Sequence, residues 1–336
     1  MSEFTLRSHE TADYKRCKKK WYWKWRRGLV LKARKFGALD LGTWMHAALA
    51  AWYEPGLRRK GHLASLFADV AYQAARKAAR DGAPEYELER AEELSALGEE
   101  VCNAYEKHYD GDPDVHVLDA EIPLEFEITT TSGELITIHK LKPDLVYRDR
   151  KTGDVWVMEH KTASQIQTSH LVIDGQARPY GVMVERALHN LGILTTRDRF
   201  CGIMYNFLRK ALPDERPTNE KGQYLNKNGS VSARQPGRQF LRHPVTLTRA
   251  AKVRTFQMLA MDAAEISFMT AQLRQGYSPS RLPITPDKSC PRFCEYFDLC
   301  VATEQGSDTR NMEETLFLVR DPYLYDEETT EDKSEW

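Results

Sequence analysis

The 336-residue chain has no apolar run long enough to span a bilayer, and its N-terminus lacks the apolar core of a secretory signal. Those absences set the expectation of a soluble, cytoplasmic protein with no membrane partner. Net charge is almost absent as well, since 48 Lys and Arg stand against 49 Asp and Glu for a formal charge of −1. The molecule as a whole has no bulk electrostatic pull toward nucleic acid, so any such binding must come from how the charge is distributed. Cysteine is scarce, at six residues, and unevenly placed. Cys290, Cys294 and Cys300 cluster, Cys17 stands far upstream, and Cys102 and Cys201 sit alone in apolar surroundings. In a reducing compartment such a cluster favours metal ligation over disulfides.

What is present is concentrated between Lys142 and Tyr180. The pattern predicts a strand opening on Asp144, a turn on Lys151-Thr152-Gly153-Asp154, and an apolar strand (VWVM) that runs into Glu159-His160-Lys161. A hairpin of this kind lets Asp144 and Glu159 face one ion. Residues two apart in a strand share a face, so Glu159 and Lys161 point together and His160 points away. Hard oxygen ligands in a partial cage suit Mg²⁺ or Mn²⁺, which keep waters and accept a phosphate. The arrangement therefore points to metal-assisted phosphodiester hydrolysis.

Basic residues gather at Lys15 to Lys35 and again across Arg209 to Arg249, so a neutral total leaves room for a basic groove. In the first of these, lysines and arginines interleave with Trp21, Tyr22, Trp23 and Trp25. Two readings stand side by side. Phosphate neutralisation with base stacking is how single strands are held without sequence readout, and an amphipathic helix with core tryptophans and solvated lysines has the same composition.

Pro143-Asp144 followed by Glu159-x-Lys161 resembles the PD-(D/E)XK nuclease superfamily. Gln176-x-x-x-Tyr180 downstream and Gly42-Thr43-Trp44-Met45-His46 upstream resemble two further motifs of its RecB-like exonuclease branch. The chain is most similar to the iron–sulfur exonuclease family of CRISPR-associated nucleases and phage-encoded relatives, over roughly Leu6 to Val301. That resemblance implies an α/β restriction-endonuclease-like core, a mixed sheet flanked by helices, with a helical insertion and an iron–sulfur clasp joining N- and C-terminal segments. It implies Mg²⁺ or Mn²⁺ held by His46, Asp144, Glu159 and the His160 carbonyl. Lys161, Glu159 and Asp144 take the catalytic roles, and Gln176 and Tyr180 bind substrate. A [4Fe–4S] cluster would be held by Cys17, Cys290, Cys294 and Cys300. Many relatives have two residues between the first two cysteines of the trio and this chain has three, which keeps Zn²⁺ as an alternative.

The implied function is a metal-dependent exonuclease acting on single-stranded DNA ends in recombination, repair or processing, with a recombinase, helicase or integration partner. A structure-specific endonuclease and a non-catalytic iron–sulfur DNA-binding subunit are the alternatives. The expected segments are a basic and aromatic N-terminus (1–36), a nuclease core (37–209) with a helical insertion at about 61–110 that could move as a lid, and a basic flap (210–245). A C-terminal helix and cysteine module (246–305) and an acidic tail (306–336) complete the chain. From Val115 the alternation predicts a β-meander feeding the central hairpin.

Overall fold

The computed structural model describes residues 5–32, 35–56, 59, 62–130, 132–175, 177–214 and 216–323. In chain order the strands and helices begin with β1 (Thr5–Arg7), α1 (Ser8–Arg16), α2 (Lys18–Trp21), β2 (Leu29–Leu31), α3 (Ala38–Trp52), α4 (Leu63–Arg80) and α5 (Glu85–Tyr109). There follow β3 (Val115–Ala120), β4 (Leu124–Thr129), β5 (Leu135–Leu141), β6 (Leu145–Asp149), β7 (Val155–Ala163), α6 (Ala177–Asn190), β8 (Phe200–Arg209) and β9 (Phe240–Val245). The last are α7 (Arg249–Arg274), α8 (Cys290–Phe293), α9 (Phe297–Glu304), α10 (Arg310–Leu316) and β10 (Phe317–Val319). Among the described residues no helix is long and apolar enough to cross a membrane.

The chain forms two units, one of residues 1–34, 125–141 and 254–336, the other of residues 35–124 and 142–253. In the first, β1, β5 and β4 make a sheet in that order and β2 pairs antiparallel with β10. Trp21, Trp23 and Trp25 are all buried here. Trp21 and Trp25 donate to Glu10 and Asp13, and Lys20 and Lys24 are ion-paired with Asp13. The tryptophans therefore follow the amphipathic-helix reading and offer no face for stacking bases. Trp23, Leu29, Tyr296, Leu299 and Phe317 form a small core, with Cys294 and Cys300 packed against it.

In the second unit five strands run in the order β3-β6-β7-β8-β9. The β6–β7 hairpin turns through Gly153, at φ 76°, where a residue without Cβ is free of strain. β7 and β8 are parallel, which requires a crossover, and α6 lies in that connection. The sheet face that carries Leu145, Tyr147, Met158 and Leu208 packs on Trp44, Met45, Leu49, Trp52, Phe67 and Tyr105 from α3, α4 and α5.

Three expectations change. The run from Val115 is no simple meander, because β3 pairs with β6 while β4 and β5 belong to the other sheet. The α4–α5 pair supplies much of the apolar core, so it is not a lid laid over one. Arg242, expected in the flap, lies on β9 and forms a part-buried ion pair with Asp112.

Candidate active site

The site is built where β6 begins. Pro143 has no amide hydrogen and cannot extend the ladder, so pairing with β7 ends at Leu145 opposite Met158. Beyond that pairing, the His160 amide donates to Asp144 Oδ2 at 2.7 Å. The carboxylate completes the ladder in place of a backbone carbonyl. Tyr180 of α6 is buried and donates its hydroxyl to the Lys142 carbonyl at 3.3 Å, which holds the segment leading into Pro143.

The other Asp144 oxygen meets His46. On α3, Gly42 and His46 are one turn apart and share a face. A Cβ on Gly42 would sit 3.1 Å from the Thr162 hydroxyl, so glycine lets the helix lie close to β7. One turn later the His46 Nδ1 is 3.1 Å from Asp144 Oδ1.

Glu159 and Lys161 share the opposite face of β7 from His160, and the Lys161 Nζ lies 3.2 Å from Glu159 Oε1. The two carboxyls are driven apart electrostatically. Burial opposes charge on Asp144, but the His46 charge and hydrogen bond and the His160 amide prevail and hold it below the usual carboxylate range. Burial and the Asp144 charge push Glu159 well above that range, offset in part by Lys161 and His46. Burial also disfavours charge on His46, yet Asp144, and then Glu159, raise it to about 9. Divergence of this kind between neighbouring carboxyls marks a site arranged for chemistry more often than a surface hairpin.

Behind the strand, His160 enters a buried polar chain that sequence reasoning missed. Its ring stacks on Tyr53 with centroids 5.7 Å apart, and Asn206 Nδ2 lies 2.9 Å from its Nδ1. Asn206 also donates to the Tyr105 hydroxyl at 2.8 Å, which is 2.9 Å from that of Tyr53. Tyr53 donates to Asp112 at 2.6 Å, and Arg242 closes the chain on Asp112. Burial pulls His160 down to about 3, so it is neutral. The signal available in the sequence was a lone asparagine inside the apolar run of β8.

A family model described as the PD-(D/E)XK nuclease superfamily matches residues 9–301. The chain belongs to the PD-(D/E)XK nuclease superfamily. No curated protein gives a significant match. The mixed α/β architecture agrees with the superfamily fold, and membership makes the chain a nuclease whose substrate is nucleic acid. PD-(D/E)XK nucleases use divalent metal ions such as Mg²⁺ or Mn²⁺.

Among the described residues no group of three or more His, Cys, Asp or Glu stands ready to hold a metal ion. In this arrangement His46 lies against Asp144, and Glu159 against Lys161. The donor chemistry nonetheless fits a hard divalent cation. Two buried carboxyls, one raised by the charge of the other, and an adjacent imidazole form a set that such a cation would neutralise.

The remaining expected residues divide in two. Gln176 lies outside the described residues. Cys17, Cys290, Cys294 and Cys300 all belong to the first unit. Burial raises the Cys300 thiol, with Cys17 and Cys294 adding to the shift, and burial raises Cys294, with Cys290 and Cys17 adding.

Proposed function

We propose that the chain is a Mg²⁺- or Mn²⁺-dependent deoxyribonuclease that degrades single-stranded DNA from its ends, in recombination, repair or a related processing step. The observation that carries the reading is the meeting of His46, Asp144, Glu159 and Lys161 around the start of β6. His46, Asp144 and Glu159, with the His160 carbonyl, would hold the cation. Bound there, it would supply Lewis-acid charge against the scissile phosphate and lower the pKa of water.

The protein's own groups do the rest. Lys161 shares the Glu159 face of β7, and its ammonium orients the attacking water while offsetting charge on the pentavalent phosphorus. Asp144 keeps the strand end in register through the His160 amide. Tyr180, held on the Lys142 carbonyl, supports the Asp144 segment, and with Gln176 it orients the strand to be cut. In the other unit, Cys17, Cys290, Cys294 and Cys300 form the donor set for a [4Fe–4S] cluster, a reading supported by the mutual influence of their thiols.

The test compares the wild type with Lys161→Ala on end-labelled linear single-stranded DNA and on a closed circle, each with Mg²⁺, Mn²⁺ or EDTA. Loss of the linear strand alone, metal-dependent and slowed by about 10³ or more in the variant, is the expected result. Nicking of the circle would establish an endonuclease instead. Binding of DNA without cleavage of either substrate would leave a non-catalytic subunit.

A further inference from the structure

The segment between β8 and β9, too polar to pack a core, is folded. Its center is a tandem of two turns seven residues apart, Asn219-Glu220-Lys221-Gly222 and Asn226-Lys227-Asn228-Gly229. In each, the glycine amide donates to the asparagine carbonyl, at 2.8 and 2.9 Å, and the glycine takes a positive φ, 73° and 79°. Each asparagine amide nitrogen then donates to the carbonyl four residues on, Gln223 or Ser230. Type I turns closed by a left-handed glycine account for this pattern.

The tandem is braced from below. Gln235 bonds the Tyr224 backbone in both directions, and Arg216 forks onto Asp214, reaches the Ser232 hydroxyl, and lies over the Tyr224 ring at 5.3 Å.

The stems leave the sheet at the catalytic end. Lys161 stands opposite Phe207 and Ala163 opposite Arg209, and the Lys210 amide donates to the Ala163 carbonyl at 2.8 Å. The returning stem pairs Phe240 with Leu208. The flap is thus rooted two residues beyond Lys161, about 7 Å along the strand. Lys221, Lys227, Arg234 and Arg238 are exposed on it, and none is in an ion pair among the described residues, although Arg234 lies within the field of Asp214.

We propose that this flap is a nucleic-acid strand clamp, in which Lys221, Lys227, Arg234 and Arg238 bind the phosphates of the strand entering the active site. It rests on the nuclease reading above and adds the residues that grip substrate away from the scissile bond. Cations held on turns that are already folded lose little conformational entropy when they meet phosphate. The asparagine, glutamine and serine side chains around them supply uncharged donors of the kind that contact phosphate and sugar without reading sequence. A neutral protein that must hold a polyanion needs such a local concentration of charge.

The test replaces all four with glutamine (Lys221→Gln, Lys227→Gln, Arg234→Gln, Arg238→Gln) in both the wild-type and the Lys161→Ala chain. Binding of a fluorescent single-stranded oligonucleotide of about 30 nucleotides is followed by anisotropy in EDTA across a salt series, with the melting temperature as the control for folding. Four lost phosphate contacts are expected to flatten the plot of log affinity against log salt by about 3, with a loss of affinity of more than tenfold at low salt. An unchanged slope and affinity, in a chain that still binds and cuts DNA, overturns the clamp and leaves the nuclease reading standing. If the unaltered chain binds no oligonucleotide at all, both fall together.

Discussion

Asp144 serves two partners with two oxygens, and each constrains the other. One oxygen replaces a missing strand carbonyl at the His160 amide and the other faces His46. The same backbone unit is gripped from behind, because the neutral His160 ring is held by Asn206 and Tyr53. Glu159 and Lys161 flank that residue, so the buried chain sets the backbone from which both project. Asn206→Leu removes the partner of the His160 ring and of Tyr105, and each stranded buried group costs about 1–3 kcal/mol. A drop in stability of about 2–4 kcal/mol is expected, together with a fall in kcat that exceeds any change in KM. Chemical denaturation and steady-state cleavage would measure the two. Lost stability with unaltered kcat would make the chain a packing device only. Glu159 and Lys161 were legible from strand periodicity and Asp144 from the hairpin, whereas His46 was legible only through the resemblance that its motif carries. Asn206 was not, since its partners on α5 and β7 lie 101 and 46 residues away and no local pattern links them.

The same limit operates on whole elements. Periodicity and turn chemistry marked the β6–β7 hairpin, the helical stretch at about 61–110 and the alternation from Val115. They gave each element an apolar face and no partner. β4 and β5 alternate like β3, yet they enter another sheet, and α4 and α5 read as a cover while forming the core. Gly98 in α5 shows how tight that core is: a Cβ there would run into the ring of Phe67, which is fully buried on α4. On an exposed helix Gly→Ala stabilises by about 1 kcal/mol. Here the added methyl meets an aromatic ring with no room to retreat, and overpacking of this kind costs about 1–3 kcal/mol. Gly98→Ala is therefore expected to lower the urea midpoint, and a rise would mean that Phe67 can move aside.

At the scale of the molecule, one unit is assembled from three separated stretches of chain, residues 1–34, 125–141 and 254–336. Ion pairs link the first and last of these, from Lys15 to Asp262 and from Lys18 to Glu265. Both are part-exposed, and exposed pairs contribute little, about 0–1 kcal/mol each. Packing of Tyr296 and Leu299 on Trp23 and Leu29 adds an apolar contact, but a small one. A cluster that ties Cys17 to Cys290, Cys294 and Cys300 would close a loop of more than 270 residues, and by the chain-entropy argument closing a loop that long is worth about 5 kcal/mol. Cys17→Ala in protein purified without air is accordingly expected to lose iron and to melt at a clearly lower temperature, measured by metal analysis and calorimetry. Cys201→Ala is the matched control, since Cys201 belongs to the other unit. Should Cys17→Ala keep full iron and the wild-type melting temperature, Cys17 is no ligand, and the three stretches are held by packing and ion pairs alone.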